Sequence, residues 1–313
     1  MNPPATTSPG PIECLGELNG NPETVGGKAA SLDRLARFGF LIPPGFCLTT
    51  AAFAAHLTAL GDRAPLAAAL AALPDDEARA RVVELVRTSP APAGVCDALR
   101  NAIDRLTAAG ETSLAVRSSA IGEDGAAASY AGLHDTELGL AAEEVEPAVR
   151  RCWSSLWSPA AIAYRRRRSL PLDGAAMAVV VQALVPAEAS AVVFTRHPVT
   201  GRDDELVINA LRGLGEPMVS GMATPDTIVV DKASGEIRDF SAGGTGERLV
   251  AIDGGVTRIA DPDGGPALPD STLRSLISLA LDVERAFAAP VDIEAAFARD
   301  RWYLLQARPI TTA

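Results

Sequence analysis

Near its end the sequence reads VDIEAAFARDRWYLLQARPI (291–310), in which two polar pairs recur at one spacing: Asp292 with Glu294, and Gln306 with Arg308. Their neighbours favour extended backbone, and in a strand residues two apart share a face. Asp292 and Glu294 should therefore point one way with Ile293 opposite. Gln306 and Arg308 should do the same, with Leu305 and Ala307 opposite. If 290–297 and 302–308 pair antiparallel, a register that opposes Glu294 to Gln306 also opposes Asp292 to Arg308. That register requires an odd-length loop about Asp300. Two carboxylates and an amide oxygen are hard ligands suited to Mg²⁺, and a guanidinium can hold a phosphate through paired hydrogen bonds. The four groups could thus clamp a magnesium nucleotide. They could equally form an ordinary half-exposed hairpin with a cross-strand Asp–Arg pair. The hairpin alone does not choose between these readings.

Such groups need a scaffold, and the chain has the means to build one. It has 313 residues, 48% of them hydrophobic, which is enough for one large domain or two lobes with substantial cores. A net charge of −11 argues against a nucleic-acid surface. Cys14, Cys47, Cys96 and Cys152 are scattered and suggest neither a disulfide framework nor a zinc site. The opening MNPPATTSPGP lacks the features of a signal peptide, and the apolar run APLAAALAALP is too short to span a bilayer. A cytoplasmic protein with no membrane partner is expected.

Periodicity predicts helices over 27–38, through much of 50–110, over 142–168 and over 271–288. It predicts strands over 113–119, 176–185, 189–195, 205–210 and 226–231, besides the final hairpin. Helices and strands mix in the first half and strands dominate the second, an α+β order. The run Arg165–Arg168 reads as a solvated helix end.

Four further stretches carry residues suited to phosphate chemistry. VGGKAASLDRLARFGFLIPPGFCLTTAAF (25–53) sets glycines before Lys28 at a helix start, where backbone freedom and a positive helix end favour an anion. It is not a P-loop, because G-x-x-x-x-G-K-[ST] is absent. LAVRSSAIGEDGAAASYAGLHDT (114–136) places Arg117 near a strand end before a small-residue loop. VVVQALVPAEASAVVFTRHPVTG (179–201) is a strand pair whose connection could line an adenine slot, and ALRGLGEPMVSGMATPD (210–226) is a Gly-rich turn carrying Glu216. Taken singly, Lys28 could be a surface lysine, Arg117 a partner of Glu123 or Asp124, and Glu216 a solvated carboxylate.

Read together, these stretches resemble the ATP-binding domain shared by pyruvate phosphate dikinase, phosphoenolpyruvate synthase and rifampicin phosphotransferase, an ATP-grasp domain. The resemblance runs from about Leu15 to Ile310 on motifs in family order: GGK-A-S-L, VRSS-ED-A-S-AG, FT-x-x-PVTG, GLGE and DIE…LLQARPI. It implies an α+β ATP-grasp fold of two lobes with the nucleotide site in the cleft between them. Residues 1–11 would be a flexible tail, 12–183 the N-terminal lobe with a phosphate-binding lid, and 184–313 the C-terminal lobe with the Mg/ATP-binding hairpin. ATP and Mg²⁺ are the implied cofactors. By the same resemblance, Lys28 and Arg117 would contact ATP phosphates and Glu294 and Gln306 would ligate Mg²⁺. Asp292 and Arg308 would support the metal and the transferred phosphoryl group. Glu216 would hold the ribose, and Gln182 with its neighbours Leu184 and Val185 would recognise adenine. The loop 120–135 would close over the phosphates, with Gly132 and Thr136 near them. Lys28, Arg117 and Arg308 would be the catalytic cations. Ala191 stands where many relatives carry Gly, which adds one methyl beside a strand.

The resemblance further implies a Mg-ATP-dependent phosphotransferase. In longer relatives a swivelling domain carries a phosphate-accepting histidine. Here His56, His134 and His197 sit in nothing like that motif, so a relay within this chain is not expected. His56 reads as a partly exposed helix residue, His134 as part of the lid, and His197 as a variable turn position. The expected acceptor is a small molecule. The alternatives are an ATP-binding part of a split system whose histidine-bearing phosphocarrier is another chain, or an ATP-binding module without turnover.

Overall fold

A computed structural model describes residues 10–19, 21–60, 76–121, 136–167, 175–244, 246–261 and 265–310. The predicted lid therefore lies largely outside the described residues, and Gly132 and His134 with it. The architecture is α+β, and the chain divides into two compact units. One comprises the chain up to Ala30 together with Pro44–Ala183; the other comprises Ser31–Pro43 together with the chain from Leu184 on. Among the described residues no helix is long and apolar enough to cross a membrane.

The first unit is built on a five-stranded antiparallel sheet of order β1-β2-β5-β3-β4. Its strands are β1 (Ile12–Cys14), β2 (Gly45–Leu48), β3 (Leu114–Ala120), β4 (Thr136–Leu140) and β5 (Met177–Ala183). Central β5 is buried along its whole length, as expected of MAVVVQA with cover on both faces. On one face Leu48, Val116, Val179 and Val181 join Phe53, Trp153 and Trp157 in a core, with the helices Ala93–Ala108 and Val145–Ser155 contributing. The expected helix over 142–168 breaks at Ser158, because Pro159 opens a second helix, Pro159–Arg167. Arg165 in that second helix is 9% exposed, so it is not part of a solvated end as the sequence suggested. His56 is also not partly exposed. It is fully buried in the helix Thr50–Ala59, stacks on Trp153 at 5.0 Å, and its Nε2 lies 3.0 Å from the Val86 carbonyl.

Helix α1 (Pro22–Arg37) is kinked at Gly26, which divides a short first stretch from Pro22 from the helical run that begins at the predicted 27. Proline suits a first helical position, and the Asn21 side chain accepts the Glu23 N–H at 2.9 Å. At the far end Asp33 pairs with Arg37, and Gly39 leaves the helix at φ 84°.

The second unit is built on a six-stranded antiparallel sheet of order β13-β12-β6-β7-β8-β9. Its strands are β6 (Ala189–Phe194), β7 (Glu205–Arg212), β8 (Asp226–Asp231), β9 (Ile237–Ser241), β12 (Val291–Ala298) and β13 (Arg301–Pro309); a separate hairpin pairs β10 (Glu247–Ile252) with β11 (Gly255–Ala260). Strands β9 to β11 were not foreseen. In β9 every residue is exposed, so no buried face imposes a period on its sequence. The helix Asp270–Phe287 covers one sheet face through Leu273, Leu276, Ile277, Ala280 and Val283, a helical stripe. These meet Val193, Leu206, Ile208, Ile228, Val291 and Ile293.

Candidate functional site

The core on one face of the second sheet makes the opposite face legible by alternation. Ile293, Ala295, Leu304 and Ala307 belong to the core, so Asp292, Glu294, Gln306 and Arg308 lie on the other face. The register pairs Asp292 with Arg308 and Glu294 with Gln306, as the sequence suggested. The predicted route to it was wrong. Strand ends Ala298 and Arg301 are partners, closed by the two-residue turn Arg299-Asp300 with φ of 53° and 58°. Continued regularly, that even turn would oppose Glu294 to Leu305 and carry Gln306 and Arg308 to the face of Trp302 and Leu304, into the core. A β-bulge between Glu294 and Ala295 absorbs Leu305 as an inserted extra residue and reverses the phase. Leu305 is thus the inserted, half-buried residue rather than part of a strict alternation.

Two hydroxyls pin this hairpin. Ser31, three residues after Lys28, donates to the Ala307 carbonyl and accepts the Ala307 N–H at 3.3 Å, fixing the backbone between Gln306 and Arg308. Buried Thr195, from FTRHPVTG, accepts the Val291 N–H at 2.8 Å and so fixes the residue before Asp292. The remainder of that motif folds on His197, whose Nδ1 accepts the N–H groups of Val199 and Thr200, so the histidine organises the turn.

Gln306 is 6% exposed, and Asp292, Glu294 and Arg308 are half-buried. Arg308 donates through Nε (2.9 Å) and Nη2 (2.8 Å) to a single Asp292 oxygen. Burial pushes the Asp292 carboxyl up; Arg308 pulls it back, and Glu294 adds to the push. Asp292 therefore orients Arg308, and Glu294 and Gln306 add a carboxylate and an amide to the same face. Among the described residues no cluster of three or more His, Cys, Asp and Glu gathers as a metal site. One carboxylate and one amide on adjacent strands suit a hard cation that takes its remaining ligands from phosphate oxygens and water.

The Gly-Leu-Gly turn ahead of Glu216 sits on the same face. Gly213 has φ 81°, and its carbonyl accepts a 2.8 Å hydrogen bond from buried Ser190. A Cβ on Gly215 would stand 3.0 Å from the Ser190 side chain, so glycine lets the turn approach the sheet. Ser190 is the strand partner of Leu211 and Ala296, two residues from the Glu294 row. Leu184 and Val185 lie in the connection to β6, Val185 buried. A cavity of about 40 Å³ beside Arg212, Asp226 and Arg248 has room for water and not for a nucleotide.

In the first unit, Leu114 and Val116 face the core, which turns Arg117 and Ser119 to the opposite face. Arg117 is the direct cross-strand partner of Thr136 and of Val180. Gln182, 2% exposed, belongs to the same face of β5, as partner of Ala115. The first half of α1 lies on this face. Ser119 donates to the Val25 carbonyl at 2.8 Å and accepts the Ala29 N–H at 3.2 Å, a bracket around half-buried Lys28. Gly26 within it adopts φ 74°, ψ 172°, a conformation that breaks the helix locally.

Arg117, Thr136 and Gln182 thus share one face of the first sheet, and the segment of α1 that carries Lys28 packs on that face. Asp292, Glu294, Gln306, Arg308 and the turn carrying Glu216 share one face of the second. Sequence reasoning passed over Ser31, Ser119, Ser190 and Asn209. Asn209 left a signal: it interrupts the apolar run ELVINALR at a position whose neighbours Ile208 and Ala210 face the core.

Residues 22–313 match the family described as pyruvate phosphate dikinase, AMP/ATP-binding domain. Over 306 residues the chain is 38% identical to the prodigiosin synthesizing transferase PigC of Serratia marcescens, covering 96% of this chain and 33% of that protein. It is 35% identical over 316 residues to a probable phosphoenolpyruvate synthase of Methanocaldococcus jannaschii, covering 96% and 27%. With a rifampicin phosphotransferase of a Streptomyces species the identity is 37% over 301 residues, covering 92% and 34%. The chain spans about a third of the length of these curated relatives.

Proposed function

The chain belongs to the pyruvate phosphate dikinase AMP/ATP-binding domain family, and on that footing we propose that it is an ATP-grasp phosphotransferase domain that binds ATP with Mg²⁺ and passes a phosphoryl group to a small-molecule acceptor. The observation that carries this reading is the hairpin phase: a bulge at Leu305 holds Glu294, Gln306 and Arg308 on the face away from the core. Glu294 and Gln306 would hold the cation, which neutralises charge on phosphate oxygens. Lys28, Arg117 and Arg308 would stabilise charge that develops during in-line transfer, with Asp292 holding the Arg308 guanidinium in place. Thr136 and the stretch around Gly132 would lie by the phosphates. Glu216 would take the ribose, and Gln182, Leu184 and Val185 the adenine, in the cleft such a fold provides.

A second reading is favoured by length. The chain covers 27% of the synthase and 34% of the phosphotransferase named above. The domain could then load a histidine on a separate phosphocarrier domain. Product analysis distinguishes the readings. With Mg-ATP and candidate acceptors, a phosphorylated small molecule supports the first; label on a partner histidine supports the second. Nucleotide binding with neither product leaves an ATP-binding module. Mg²⁺-dependent ATP binding by calorimetry should be lost in Glu294→Ala and in Gln306→Ala, and unchanged binding in both would overturn the metal assignment.

A further inference from the structure

We propose that Asn209 is a further nucleotide-contacting residue, its side-chain amide donating a hydrogen bond to an oxygen of the bound nucleotide; the proposal rests on the ATP-binding reading above. Strand pairing sets Asn209 in one unbroken row of the second sheet: Gln306 beside Glu294, Glu294 beside Val192, Val192 beside Asn209, and Asn209 beside Thr227. All five lie on the face away from the core, because Ala307, Ile293, Val193, Ile208 and Ile228, their sequence neighbours, face it. Strands are about 4.8 Å apart, so Asn209 stands about 10 Å from Glu294. That is within the reach of one nucleotide whose phosphates are held by the Glu294–Gln306 pair. Val192 is the apolar floor between them. Leu211, two residues on in β7, leads into the turn that carries Glu216, so Asn209 lies between the expected metal ligands and the expected ribose ligand.

The amide is oriented. The Thr227 hydroxyl donates to Asn209 Oδ1 at 2.9 Å, which leaves the Nδ2 hydrogens as donors on a half-buried face. Among the described residues this is the hydrogen bond that fixes the side chain. A preset donor beside a site for an anionic ligand contributes to binding without a further ordering cost.

Asp in place of Asn separates this role from a structural one, because it can still accept from Thr227 while replacing the donor with a negative charge. Calorimetric titration of wild type, Asn209→Ala and Asn209→Asp with ATP, ADP and AMP, each with Mg²⁺, is the test, with thermal melting to verify folding. We expect Asn209→Ala to raise the ATP Kd about ten-fold, the range for a lost hydrogen bond to a charged oxygen. Asn209→Asp should raise it at least as much. An equal loss for AMP and ATP places the contact on the sugar or α-phosphate, and a loss confined to ATP places it on the terminal phosphates; both support the proposal. Wild-type affinity in Asn209→Asp overturns it. If wild type binds ATP and Glu294→Ala loses the Mg²⁺ dependence, that result sinks the Asn209 assignment alone. If wild type binds no nucleotide, the ATP-binding reading falls and takes this inference with it.

Discussion

Gly26 lies so close to Ser119 that a Cβ on it would stand 2.0 Å from the Ser119 carbonyl oxygen. The glycine also holds a positive φ of 74°. Two stretches distant in sequence, VGGK and VRSS, are thus a single piece of packing: one supplies the gap and the other fills it. Gly26→Ala should destabilise the protein by about 2–3 kcal/mol, the scale of overpacking, combined with an unfavourable φ. Urea denaturation measures it, and a loss below about 0.5 kcal/mol would mean that the contact relaxes freely.

Ser31 makes two hydrogen bonds to the Ala307 backbone, between Gln306 and Arg308. Ser31→Ala should cost about 1 kcal/mol of stability. If this bracket also sets the hairpin's polar groups, the Mg²⁺ concentration needed for half-maximal ATP binding should rise several-fold, with Ser31→Thr closer to wild type than Ser31→Ala. A stability loss with an unchanged Mg²⁺ midpoint would confine Ser31 to the scaffold.

Asp292 and Arg308 form a partly buried pair, their side chains 13% and 29% exposed. Removing one partner leaves the other's charge on a desolvated face, so each single alanine variant should cost more than half of what the double variant costs. A double-mutant cycle should return a coupling of about 1–2 kcal/mol, above the range of exposed pairs. Additive single effects would show that Asp292 does not hold the guanidinium.

His56 predicts how stability depends on pH. Burial depresses its pKa below 6.5, the Val86 carbonyl opposes the shift, and its Nδ1 is buried with no hydrogen-bond partner among the described residues. The unfolded chain then binds a proton near pH 6.5 that the folded chain refuses. The histidine's contribution is complete above that pH and shrinks as pH falls, by at most about 1.4 kcal/mol per pH unit. Denaturation midpoints for wild type and His56→Gln between pH 5 and 7.5 should converge on acidification. Parallel curves would exclude His56 as the titrating group.

The final hairpin shows how far local reading reaches. Alternation in VDIEA was enough to put Asp292 and Glu294 on one face, because a strand's period of two is a property of the backbone and needs no tertiary partner. The pairing of Glu294 with Gln306 was legible for the same reason. The turn and bulge that produce it were not. An odd loop and an even loop with one inserted residue give the same partners, and only core packing of Trp302 and Leu304 on one side of Leu305 and of Ala307 on the other selects the second. His56 was misjudged because a lone polar residue in an Ala-rich helix carries no mark of what will pack on it; Trp153, almost a hundred residues away, decides that.

By itself the sequence determined the alternation of faces, the order of helices and strands through most of the chain, and the residue types that can bind a magnesium nucleotide. Such information is carried within a few residues, by periodicity and side-chain chemistry. Tertiary structure alone decided that Ser119 closes over Gly26, that Ser31 anchors Ala307, and that Asn209 joins the row of Glu294. Each of those outcomes depends on strand order and register between distant segments, which are set by the total burial of two cores and by no local stretch.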